Sequence, residues 1–167
     1  MIGSAPVLES TTLSGEDRVI AYLTVHDLVW INTTVTGRVN PYDWVTLEAA
    51  MAAQYRYGES QDVPGQAASL LQSLLFKPPF ASGNRRTAFI AALTFLNANG
   101  YATKVQDREA ADIVLSVIRR ERTPEQAIAE LAAPSQQALP AGLTLRKLIT
   151  HECNLHVEAL KILAEGD

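Results

Sequence analysis

The stretch Thr87-Ala88-Phe89-Ile90-Ala91-Ala92-Leu93-Thr94-Phe95-Leu96 holds no charge and is apolar on almost every side of a helical wheel. A helix that is apolar all round has no face to offer water, so it belongs at the centre of a bundle with other helices around it. Directly ahead of it stand Ser82, Gly83, Asn84, Arg85 and Arg86. The helix, read over residues 83–99, thus joins a buried shaft to a polar, basic mouth.

The rest of the chain supplies helices to surround that shaft. Asn40-Pro41, with Asp43 in the first turn, reads as the start of a helix over residues 41–57, where Trp44, Leu47, Ala50 and Met51 recur at helical spacing. Thr123-Pro124-Glu125-Gln126 is a capping box with proline at the first helical position, opening a helix to about residue 133. Asp107 reads as the cap of a helix over residues 108–120, with Ala111, Val114, Leu115 and Ile118 on one face. A further helix over residues 64–76 ends where Pro78-Pro79 forbids continuation. Residues 15–23 and 25–35 read as two short helices, and 36–40 as a turn or small hairpin. Only residues 101–105 hint at a strand. Residues 143–164 form an amphipathic pattern through Leu145, Leu148, Ile149, Leu155, Leu160 and Leu163. The expected fold is all-α: one helical domain over residues 1–133, a Ser/Gln/Pro linker over 134–143, and a C-terminal helix over 144–167 packed on the domain.

Composition agrees. With 167 residues, 47% apolar and 19% charged, the chain fits one ordinary globular domain with a real core. A net charge of −4 gives no overall attraction to nucleic acid or to an anionic membrane. Residues 1–12 lack the basic region and apolar block of a signal peptide. The single cysteine, Cys153, excludes an internal disulfide and suits a reducing compartment. A cytoplasmic location is the expectation.

The mouth of the central helix has a chemical logic. The first turn of a helix presents unpaired N–H groups and the positive end of the dipole. Gly83 lets backbone approach a ligand closely, having no Cβ. Arg86 adds a guanidinium able to grip phosphate oxygens in pairs. Two arginines in a first turn oppose the dipole, a cost that a bound anion relieves. Spacing alone leaves a plainer alternative open: a structural helix with solvated arginines at its start.

Aligned on Phe80, the segment matches the pattern His-x-Phe-x-Asp/Glu-Gly/Ala-Asn-Gly/Lys-Arg at Phe80, Gly83, Asn84 and Arg86, with Arg85 where lysine is also found. Together with Phe95-Leu96-Asn97-Ala98-Asn99-Gly100-Tyr101, Val25-His26-Asp27 and Leu47-Glu48-Ala49-Ala50, this resembles the Fic/Doc (Fido) family, and within it the Doc, or death-on-curing, toxins. The resemblance covers roughly residues 20–133. It implies a Fido-type bundle around a buried central helix, with a small flap, and an activity that moves AMP or a phosphoryl group from ATP to a protein hydroxyl. It also implies that Ser82, Gly83, Asn84, Arg85 and Arg86 form a nucleotide-phosphate cradle. A small antitoxin or a target protein is the partner it implies.

Two positions depart from that pattern. Pro78 stands where the family has the histidine that serves as general base, so no catalytic residue is assigned. Such a base contributes about 10²–10⁴ in rate. Ser82 stands where the family has the acid that holds magnesium, which usually binds through one or two carboxylates and substrate phosphates. The expectation is a toxin–antitoxin-like pseudoenzyme that keeps the cradle, with ATP as ligand and Mg²⁺ weak or absent. Two alternatives stay open: a transferase using another base, for which Lys77 and His26 are the candidates, and an interaction module that binds no nucleotide.

Other motifs offer less. His151 and His156 are five residues apart, about 140° around a helix, too far round to share a metal. Cys153 has no partner pattern for a nucleophile. Glu165-Gly166 has Lys161 where an inhibitory Ser/Thr-x-x-x-Glu-Gly/Asn motif would need a hydroxyl.

Overall fold

The computed structural model describes residues 19–59, 61–137 and 139–167. Eight helices are found among them: α1 (Val25–Thr36), α2 (Trp44–Ala53), α3 (Val63–Phe76), α4 (Asn84–Ala98), α5 (Asp107–Ile118), α6 (Pro124–Leu131), α7 (Leu145–Leu155) and α8 (Val157–Ala164). Strands β1 (Tyr101–Thr103) and β2 (Ala132–Pro134) pair antiparallel, with Ala102 opposite Ala133. The class is all-α, as expected. No helix among the described residues is long and apolar enough to cross a membrane.

The central helix is α4. Every residue from Thr87 to Leu96 is buried. It is packed by α1, α3, α7, α8 and β1. Phe89, Ile90, Leu93, Phe95 and Leu96 are each 1% exposed or less, so each contributes about 1.5–3 kcal/mol of apolar burial. Thr24 and Asp27 form a reciprocal capping box at the start of α1, and Thr123 with Gln126 forms the one read from sequence at α6.

Several boundaries differ from expectation, each for a local reason. Asp43, not Asn40, caps α2 through the backbone N–H of Thr46. Residues 41 and 42 are instead extended and tied to the loop before α4: Asp43 N–H donates to the Pro79 carbonyl and Ala81 N–H to the Pro41 carbonyl, both at 2.9 Å. The turn after α1 is therefore not a self-contained hairpin. Gly37, at φ 71°, ends α1 in the left-handed region, and the short bridge runs from Tyr42 to Phe80. Residues 19–23 are not helical, and 15–18 lie outside the described residues.

The amphipathic pattern of residues 143–164 is two helices rather than one. The break is His156, with φ −109° and ψ 36°, which ends α7 and begins α8. Its ring turns inward, edge-on to Phe89 of α4 at 5.5 Å between centroids. Nδ1 lies 2.8 Å from Asp107 Oδ1, and Nε2 lies 3.2 Å from Glu152 Oε2, close enough for an ion pair but without hydrogen-bond alignment. Asp107, read from sequence as the cap of α5, is instead its first residue. Its second oxygen accepts from the Ala159 N–H at 3.1 Å and so serves the first turn of α8. Arg146 of α7 stacks over Trp30 of α1, 4.5 Å from the ring centroid. These contacts fix α7 and α8 against the bundle and aim the segment after α8 at the start of α4.

Candidate functional site

The loop ahead of α4 is held from below by buried amides. Asn84 spends both ends of its side chain on Phe80, accepting from the Phe80 N–H at 3.0 Å and donating to its carbonyl at 2.7 Å. Phe80 is buried and anchors the loop in the core. Asn32 of α1, 1% exposed, donates to the Ser82 carbonyl at 2.9 Å and to the Thr87 hydroxyl at 3.1 Å. Asn40 donates to Asn32 Oδ1 and to the Thr36 hydroxyl, each at 3.0 Å. This network joins the end of α1, the turn before α2 and the loop into one rigid unit.

Gly83 caps α4 at φ 81°, a conformation in which glycine is strongly favoured. A Cβ there would also sit 2.3 Å from Thr36 Cγ2 and 3.1 Å from Asn32 Nδ2. The close approach that requires glycine here is thus made by α1, not by space reserved for a ligand.

With Asn84 and Gly83 committed to the loop itself, the groups facing outward are the first N–H groups of α4 and the guanidinium of Arg86. They already hold an anion. The Asp167 carboxylate accepts from the Arg85 N–H at 2.9 Å, from the Arg86 N–H at 3.3 Å and from Arg86 Nε at 2.9 Å. Its side chain is 3% exposed and that of Arg86 16%. Arg86 Nη1 is anchored on the Val35 carbonyl at 3.0 Å, at the negative end of the α1 dipole. Arg85 reaches over the top to the Glu165 carbonyl, 3.4 Å from Nη1. One carboxylate thus receives three donors at a helix N-terminus, the arrangement that also suits a phosphoryl group.

Among the residues singled out from sequence, Gly83, Asn84, Arg85 and Arg86 come together here. The Ser82 side chain is half-buried beside them, and Pro78 is exposed at the rim. His26 is exposed in the first turn of α1, nine residues and so about 13 Å along the axis from Val35. Lys77 is exposed at the end of α3. Asp43, beside Pro79, has its carboxyl held below the ordinary range by the hydroxyl and N–H of Thr46, which makes it a weak base. His151 is exposed, while His156 is buried between carboxylates. Cys153 is buried, and burial together with the neighbouring Glu152 charge pushes its thiol up to about 11.

Asn32, Thr36, Val35 and Asp167 were not singled out from sequence. A polar residue at position 32 among the apolar positions Leu28 and Ile31 is the only signal that Asn32 gives. Asp167 lies 82 positions from Arg85, and nothing local marks the pairing.

Fold and loop together define an all-helical domain with an anion-holding turn at the mouth of its buried central helix. Toxin Doc from Mycolicibacterium smegmatis (strain ATCC 700084 / mc(2)155) is 34% identical to this chain over 102 residues, 58% of this chain and 78% of that protein. The chain belongs to the Doc toxin family. No family model and no solved structure matches it.

Proposed function

We propose that this Doc-family protein binds a nucleotide such as ATP through the phosphate cradle of residues 82–86, and that it has lost efficient group transfer. The observation that carries the reading is the Asp167 carboxylate held by the Arg85 and Arg86 N–H groups and by Arg86 Nε. A loop that binds a carboxylate in this way has the donors to bind a phosphoryl oxygen.

Loss of transfer follows from the rim. Pro78 has no proton to give or take, His26 is exposed about 13 Å along α1 from Val35, and Lys77 is exposed at the end of α3. Mg²⁺ does not fit the donors available: Ser82 brings no charge, and Asp167 is committed to Arg85 and Arg86. In the cradle, Arg86 and the α4 N-terminus bind, Asn84 and Asn32 shape the loop, and Gly83 makes the turn. The natural context for such a protein is a toxin–antitoxin-like pair in the cytoplasm, with a small antitoxin or a target protein as partner.

Transfer of label from ATP to lysate proteins tests the loss of activity. Pro78→His/Ser82→Asp should label more strongly than the wild type by a factor of about 10² or more. Equal labelling by the two would contradict a pseudoenzyme. Calorimetry with ATP tests the cradle, since Arg86→Ala should weaken binding at least about tenfold through loss of a charge-assisted contact.

A further inference from the structure

The buried imidazole of His156 takes no part in the loop at the mouth of α4, yet it lies where α4, α5, α7 and α8 meet. Asp107 of α5 faces Nδ1 at 2.8 Å, Glu152 of α7 faces Nε2 at 3.2 Å, and the Phe89 ring of α4 packs against it. A neutral imidazole carries one N–H and can answer only one of two carboxylates, whereas the doubly protonated ring answers both. We propose that His156 is a proton-operated latch: its second proton keeps the corner between α7 and α8 docked on α4 and α5, and the corner opens when that proton leaves.

The surroundings make the corner depend on this proton. Glu152 is 2% exposed, and its other oxygen accepts from the Asn97 side chain of α4 at 2.7 Å. Against a neutral ring its carboxylate would face a lone pair, and a buried charge so placed needs water or a counter-charge. Among the described residues no lysine or arginine pairs with Asp107 or Glu152; Arg108, next to Asp107, is exposed and pairs with Glu158 of α8 at 3.1 Å. From α4 only the uncharged Phe89 and Asn97 reach the cluster. Asp107 also accepts from the Ala159 N–H at 3.1 Å, which joins the ring to the first turn of α8. Leu155 and Val157, on either side of His156, are exposed and add little apolar packing at the break. Leu163 is fully buried and holds the far end of α8, so the opening is confined to about residues 155–160.

The direction follows from linkage. A proton held by the closed corner and released by the open one favours opening as pH rises from the ordinary histidine value of about 6.5 through the raised one. Hydrogen exchange on the full chain, read by mass spectrometry from about pH 6 to about pH 8.5, tests this. Dividing the protection of residues 155–160 by that of α4 cancels both the intrinsic exchange rate and any change in global stability. The ratio should fall about threefold or more across this range in the wild type. Glu152→Gln offers an amide N–H to the neutral ring and keeps an oxygen for Asn97, so most of the fall should disappear. His156→Gln has nothing to titrate and should give a flat ratio. A flat ratio in the wild type, with the corner losing protection only in step with α4, would overturn the latch. The wild-type fall persisting in either variant would overturn it as well.

Discussion

The Asn32 side chain donates to the backbone carbonyl of Ser82 across 2.9 Å, so α1 holds the mouth of α4 in shape from a position 50 residues upstream. Asn32 is buried and serves Ser82, Thr87 and Asn40 at once. Asn32→Ala would leave the Ser82 carbonyl without this donor and the Asn40 amide with only the Thr36 hydroxyl to donate to. An unpaired buried polar group costs about 1–3 kcal/mol, so urea unfolding should register a loss of about 2–4 kcal/mol. A loss below about 0.5 kcal/mol would mean that the network does not hold the loop.

Gly83 should tolerate no side chain for two separable reasons. Its left-handed backbone alone costs a non-glycine residue about 1–2 kcal/mol, and the Thr36 methyl at 2.3 Å from a built Cβ adds a clash. Gly83→Ala should therefore lose more than about 2 kcal/mol. Adding Thr36→Ser removes the methyl but keeps the hydroxyl that Asn40 uses. The double variant should recover part of the loss, an interaction that chemical denaturation of the four proteins in the cycle measures.

His156 makes stability depend on pH. Burial pulls its pKa down, but the carboxylates of Glu152 and Asp107 outweigh burial and hold it above the ordinary 6.5. A histidine pKa raised by folding contributes stability that is fully present below the unfolded value and is lost as pH rises through the folded one. Urea midpoints should fall as pH climbs from about 6.5 through that raised value. His156→Gln should flatten this part of the curve. A wild-type curve that rises over the same interval would contradict the assignment.

Cys153 should be inert in the folded protein. A thiol moved from 9.0 to about 11 carries about 100-fold less thiolate at neutral pH. Labelling with a thiol reagent should be slower by at least that factor in the native protein than in urea.

The central helix was legible in the sequence because Thr87 to Leu96 leave no solvent face, and its mouth because Gly83 to Arg86 carry a motif at fixed spacing. The Thr123 capping box was legible for the same reason, since its whole physics lies within four residues. What could not be read rests on long-range pairing. Asn40-Pro41 looks like a helix start, but the bridge from Tyr42 to Phe80 holds that backbone extended and leaves the cap to Asp43. The His156 break depends on two carboxylates, one of them 49 positions away, and an amphipathic pattern is blind to it. Asp167 meets Arg85 and Arg86 only once α7 and α8 have folded back across the bundle.

The most direct test of the cradle follows the backbone amides of Arg85 and Arg86 by ¹H–¹⁵N NMR while ATP is added to Asp167→Asn. Saturable shifts centred on residues 83–87, absent when Arg86→Ala is added, are the predicted result. Amides at positions 85 and 86 that stay fixed up to millimolar ATP would contradict a phosphate site at the mouth of α4.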